Sequence, residues 1–144
     1  MKKLLVFIFV MLSFQAARAE NSVLSLHISG NSIIAEVANT PQARQRGLMH
    51  RKRLGSNHGM LFIFPEPGLH AMWMKNTSVP LSTAYLDERG VIINITDMTP
   101  FSEQPHYAVA PAKFALEMPK GWFSKRDINP GMKVEGLSSA PAGR

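Results

Sequence analysis

The chain of 144 residues contains no cysteine. That absence excludes disulfides, thiolate nucleophiles, zinc–thiolate centres and a cysteine-borne lipid anchor. Aromatics are sparse, with only 2 Trp and 2 Tyr, so the place of each indole matters. No apolar run reaches the roughly 20 residues that a bilayer-spanning helix requires. Familiar active-site signatures are missing as well: there is no H-E-x-x-H, no G-x-S-x-G and no glycine-rich phosphate loop. His50 and His58 do not have the spacing of a zinc pair, and Ser82, His106 and Asp87 form no triad pattern. Finally, the stretch from Val37 to Pro65 has no acid, while it holds Arg44, Arg46, Arg51, Lys52 and Arg53.

The first residues, "MKKLLVFIFVMLSFQAARA", combine two lysines, a short apolar run and a small-x-small ending at Ala19. This is the pattern of a secretory signal peptide. It predicts a leader over residues 1–19 and a periplasmic or secreted domain with no integral membrane segment once the leader is removed. Three of the 16 basic residues belong to the leader, leaving 13 against 10 acidic, a mild balance of +3. That balance does not argue for nucleic acid as a partner, and it is compatible with anionic envelope ligands.

The remainder predicts one β-rich domain over residues 20–137 and a disordered tail over 138–144. "VLSLHI" and "SIIAEVA" alternate around Ser29-Gly30-Asn31, the signature of a hairpin. Thr40 as N-cap, Pro41 at the first helical position and Gly55 beyond the end predict a helix from Pro41 to Arg53. Gly47 inside it costs up to about 1 kcal/mol against alanine, so it is expected to permit close packing. Short strands separated by Gly/Pro turns follow: "GMLFIF", "HAMWMKNT", "STAYLD", "VIINITD", "KFALEM" and "MKVEGL". The fold class is mainly β, a sandwich or barrel-like domain with one early helix and short helical turns.

Three groups of residues are candidates for chemistry. On the helix, Arg46, Met49, His50 and Arg53 share a face by their spacing; guanidinium groups there suit a carboxylate or phosphate, or form a solvated face. In "HAMWMKNTSVPL", strand parity sends Met72 and Met74 with His70 to one side and Trp73 with Lys75 to the other. Thioethers with an imidazole would suit Cu(I), although methionine is also an ordinary core filler. Lys75, Asn76 and Thr77 either line a ligand site beside the indole or simply satisfy a turn. Glu117 alternates with Leu116 and Met118 and points inward, as a buried general acid–base or as an ion-pair partner of Arg46 or Lys75.

Beyond these spacings, "RGLMHRKRL", "GMLFIFPEPG", "HAMWMKNT", "VPL", "YLDERGVI" and "FALEMPKG" occur in an order that resembles the bacterial and archaeal domain-of-unknown-function family 192. The resemblance runs over nearly all of Ile34 to Leu137. It implies a compact β-rich domain, often exported, with no established activity or cofactor. It also implies shared positions at Arg46, Gly47, Met49, Gly59, Trp73, Met74, Lys75, Asn76, Thr77, Pro80 and Glu117. Two departures stand out: Ser82 occupies a position where members commonly carry aspartate, and the loop "PFSEQPHYAVAP" lacks their cysteine pair.

Together these readings favour a binding or accessory module for a small anionic or sugar-like envelope ligand, held by Arg46, Trp73, Lys75, Asn76, Thr77 and Glu117. No cofactor and no metal is implied by that reading. An envelope-glycan-acting enzyme using Glu117 is the alternative, and a Cu(I) protein using His70, Met72 and Met74 is the third.

Overall fold

The structure, a computed structural model, describes residues 22–144; the leader expected over residues 1–19 lies outside them. It is mainly β. A six-stranded mixed sheet has the order β1-β2-β3-β8-β5-β6, and a separate ribbon pairs β4 with β7. The large sheet is open, not closed into a barrel.

β1 (Val23–Ile28) and β2 (Asn31–Ala38) form the expected hairpin. Ser29 and Gly30 both take positive φ, 48° and 76°, as a two-residue turn matched to strand twist requires. β3 (His58–Gly68) runs parallel to β2, and parallel neighbours need a crossover. That crossover carries α1 (Pro41–Arg46), capped by Thr40 through a 3.1 Å bond from the Ala43 N–H. β8 (Ala112–Pro119) joins β3 to β5 (Leu81–Leu86), and β6 (Ile92–Met98) closes the far side; these pairings are all antiparallel.

Alternation along these strands divides the core into two layers. One face presents Leu61, Ile63, Ala84, Leu116 and Met118 to a cover of Trp122, Phe123, Ile128 and Val134. The other presents Met60, Phe62, Phe64, Leu81, Tyr85 and Ala115 to Leu48, Met74, Met98 and Ala108. The second face lies on the side of the crossover and of the ribbon formed by β4 (Ala71–Met72) and β7 (His106–Tyr107).

Three local expectations are corrected. The helix ends at Arg46, not Arg53. Gly47 takes φ 46°, and His50, at φ 63°, donates its N–H to the Asn76 carbonyl at 2.9 Å, so a long-range bond replaces further helix. Gly47 does pack closely: a Cβ there would stand 3.1 Å from the Phe62 ring. "HAMWMKNT" is a strand only at Ala71–Met72, after which the Met74 N–H bonds the Ser102 carbonyl and the chain turns. "MKVEGL" forms isolated bridges, Val91 with Lys133 and His27 with Glu135, instead of a strand. Two carbonyls of the last residues accept bonds from the body. Asn39 donates to the Ala142 carbonyl at 2.9 Å, and Arg44 to the Arg144 carbonyl at 2.8 Å.

Candidate functional site

Two short segments meet over the second face of the sheet. The end of α1 brings Arg44, Gln45 and Arg46; the turn after β4 brings Trp73, Lys75, Asn76 and Thr77. Two hydrogen bonds fasten them together, from the His50 N–H to the Asn76 carbonyl and from the Ser78 side-chain hydroxyl to the Arg51 carbonyl, each 2.9 Å. Asn76 sits at φ 52°, a conformation that asparagine tolerates better than most residues.

Strand parity survives through this turn even though the strand does not. Leu69, Ala71 and Trp73 are exposed, while Met72 is half-buried and Met74 fully buried. The Trp73 indole is 43% exposed, and the Lys75 ammonium lies 5.2 Å from its ring centroid. Lys75 also reaches Glu103 at 3.7 Å, both side chains remaining largely in water. Around the indole opens a groove of about 590 Å³ lined by Gln42, Gln45, Arg46, Met49, His50, Trp73, Lys75 and Asn76. None of these is acidic.

Below the groove is a narrow pocket of about 30 Å³, room for one or two water-sized groups. Arg46 and Trp73 border both spaces; Phe62, Leu48 and Met72 supply apolar wall; Thr77 and Glu117 supply polar atoms. The Thr77 hydroxyl donates to the Lys75 carbonyl at 3.0 Å. Glu117 is 3% exposed and lies on β8 between Met60 of β3 and Thr83 of β5. Burial pushes its carboxyl up to about 8. The expected ion pair with Arg46 or Lys75 is not formed. Among the described residues the ion pairs are Arg51–Glu36, Lys75–Glu103 and Arg89–Asp87. Yet no fully buried side-chain N or O atom lacks a partner among the described residues. Glu117 is reached from the pocket it lines.

Of the six residues singled out in the sequence, Arg46, Trp73, Thr77 and Glu117 border the pocket, and Arg46, Trp73, Lys75 and Asn76 the groove. Sequence reasoning missed Met72 as pocket wall and Thr83 as the cross-strand neighbour of Glu117. Thr83 shares its strand parity with Tyr85 and Leu81, the only signal that would have put it on this face. Tyr85 is fully buried and donates to the His106 carbonyl at 2.6 Å; burial raises its hydroxyl well above the usual range.

The copper arrangement does not assemble. The His70 ring stacks on Phe64 at 3.7 Å with Nε2 2.9 Å from the Glu66 carbonyl, Met72 lines the pocket, and Met74 is enclosed in the core. No cluster of three His, Cys, Asp or Glu side chains suited to a metal occurs among the described residues. No helix among them is long and apolar enough to cross a membrane.

The family model DUF192, described as an uncharacterized ACR, matches residues 24–136. Two solved structures are similar. A protein from Sinorhizobium meliloti 1021, provisionally described as a transcription regulator, is 32% identical with a TM-score of 0.78; the match covers 81% of this chain and 95% of that one. A protein of unknown function from Novosphingobium aromaticivorans DSM 12444 is 30% identical with a TM-score of 0.72, covering 78% of this chain and 83% of that one. No curated protein matches. The chain belongs to the DUF192 family.

Proposed function

We propose that this member of the DUF192 family is an exported binding module whose groove takes a small sugar-like ligand bearing an anionic group. The observation that carries the reading is the half-exposed Trp73 indole beside an ammonium, in a groove lined by cations and amides with no acid among the described lining residues. An indole face suits the apolar face of a sugar ring. Arg46 and Lys75 suit a carboxylate, and Gln42, Gln45 and Asn76 offer amides to hydroxyls. The leader-like start of the chain supports placement outside the cytoplasm.

The glycan-cleaving alternative has less support. Hydrolysis of that kind uses two carboxyl groups flanking the bond, and among the described residues Glu117 is the sole carboxyl lining either the pocket or the groove. The regulator description of the Sinorhizobium meliloti protein is not carried over. The only α-helix among the described residues has 6 residues, too short to read a DNA groove in the usual manner.

The test is calorimetric titration with N-acetylmuramic acid, a sugar that combines a pyranose ring with a carboxylate. Saturable binding that is lost in Trp73→Ala is the expected result. The absence of any heat up to millimolar concentration, or unchanged binding by the variant, overturns the reading.

A further inference from the structure

A buried carboxyl without a protein partner is costly unless something arrives to satisfy it. Glu117 comes close to that case: 3% exposed and in none of the ion pairs among the described residues, it lines the small pocket beneath the Trp73 groove. The pocket walls are Phe62, Leu48 and Met72, and its other polar side chain on the turn, Thr77, has its hydroxyl hydrogen already committed to the Lys75 carbonyl. Donors toward an entering atom are Arg44, Gln45 and Arg46 on the outer side and, at the buried end, Glu117. We propose that this pocket is a subsite for one neutral oxygen of the bound ligand, which accepts a hydrogen bond from the Glu117 carboxyl group. The inference rests on the groove reading above and sharpens it: the ligand carries its anionic group at the Arg46–Lys75 rim and an uncharged, oxygen-bearing arm that reaches inward. A pocket of about 30 Å³ admits an acyl carbonyl oxygen or a hydroxyl, not a second carboxylate or a ring.

The electrostatics fit. Burial holds the carboxyl protonated near neutral pH, so it is a donor there and an anion at high pH. The other ionisable groups around it are Arg44 and Arg46 from α1, Tyr85 from β5, and His50 and Lys75 in the outer groove. Tyr85 stays neutral across the useful range because burial raises it. Changes in the outer groove act on any ligand that shares the same ring and carboxylate, so a ratio of affinities within a matched set isolates Glu117.

The matched set is N-acetylmuramic acid, its counterpart with hydrogen in place of the acetamido group, and its counterpart lacking the 6-hydroxyl. Deletion of one of these arms should weaken binding about tenfold at pH 6.5, the effect of one hydrogen bond. The ratio should collapse toward one at pH 9.5, where Glu117 no longer donates. Glu117→Gln keeps a donor at both values and should hold the ratio constant with pH. Which counterpart is weakened distinguishes a carbonyl from a hydroxyl. If all three sugars bind equally, the subsite is refuted while the groove reading stands. A ratio that grows at high pH refutes it too, since the ligand would then be donating to a carboxylate. If none of the three binds, the groove reading fails and the subsite falls with it.

Discussion

The two faces of the sheet share every central strand and bury similar kinds of apolar side chain, but they are closed differently. One is covered by consecutive C-terminal residues, with Trp122 and Phe123 packed edge to face at 5.3 Å and Ile128 and Val134 beyond them. Its polar contacts include the buried Ser82, which donates to Asp97 and accepts from the Gly121 N–H, the Trp122 N–H bond to the Asn57 side chain at 3.0 Å, and Arg126 at 4.3 Å from the indole ring. The other is covered by two short segments from distant parts of the chain, joined by hydrogen bonds around irregular backbone, and it holds Glu117 and Thr83 at its centre. The difference teaches how the manner of covering a sheet face decides whether a cavity is left in it. A continuous apolar lid maximises burial, whereas a lid assembled from a helix end and a turn leaves a seam. Here the seam is the pocket and groove.

The comparison breaks most severely on the closed face. Phe123→Ala removes a ring that is 1% exposed, and loss of so large a buried group costs about 3–5 kcal/mol. Urea unfolding should show that loss equally at pH 5 and pH 8, because none of the side chains forming this layer of the core titrates. A loss that varied strongly with pH would erase the distinction between the faces.

On the open face the next largest effect depends on pH. The Glu117 carboxyl ionises near the ordinary glutamate value when the chain is unfolded and at about 8 when folded. Between those values the folded protein holds a proton that the unfolded chain releases, so raising the pH favours unfolding. The contribution is fully present below the unfolded value and is lost progressively until pH passes about 8. The loss is on the order of 4 kcal/mol across that window. Glu117→Gln, which has no proton to lose, should flatten it. Unfolding curves of both proteins at pH 5 and pH 8 decide this: the difference between them should favour the variant more at pH 8.

How far this contrast could be read from the chain follows from how local each cause is. β1, β2, β5, β6 and β8 were legible because their alternating residues settle which face each side chain takes. The inward aim of Glu117 was legible for the same reason, between Leu116 and Met118. So was the outward aim of Trp73, since odd residues from Leu69 to Trp73 stay exposed after regular pairing ends. The early stop of α1 was not legible. It depends on a bond from His50 to Asn76, and the basic residues 51–53 keep helix-forming propensity in isolation. Nor was it legible that Glu117 joins none of the ion pairs among the described residues, because the expectation of one came from charge counting, while the outcome depends on where the arginines and Lys75 are held. Lys75 turns outward to Glu103.

A smaller effect is expected where the open face meets water. Arg51 grips Glu36 with two hydrogen bonds of 2.8 and 2.6 Å, and both side chains remain partly exposed, 37% and 25%. Pairs of that kind contribute about 0.5–1 kcal/mol after solvent screening. Arg51→Ala should lower stability by that amount, and the loss should shrink in 1 M salt. A loss several times larger, insensitive to salt, would mean that the arginine braces the crossover by packing and not by charge.

Trp73→Ala is expected to change stability least, within about 0.5 kcal/mol, because the indole is nearly half exposed and belongs to neither core layer. That small number is what gives the substitution its value. If thermal unfolding is unchanged while titration with N-acetylmuramic acid loses its heat, the exposed indole serves recognition and not the fold. If stability instead drops as it does for Phe123→Ala, the indole is a structural part of the lid, and the seam over Glu117 is sealed more tightly than a ligand could tolerate. An aromatic ring left half in water beside an ammonium costs the fold little to lose, so a change in binding on its removal is read without a confounding loss of fold.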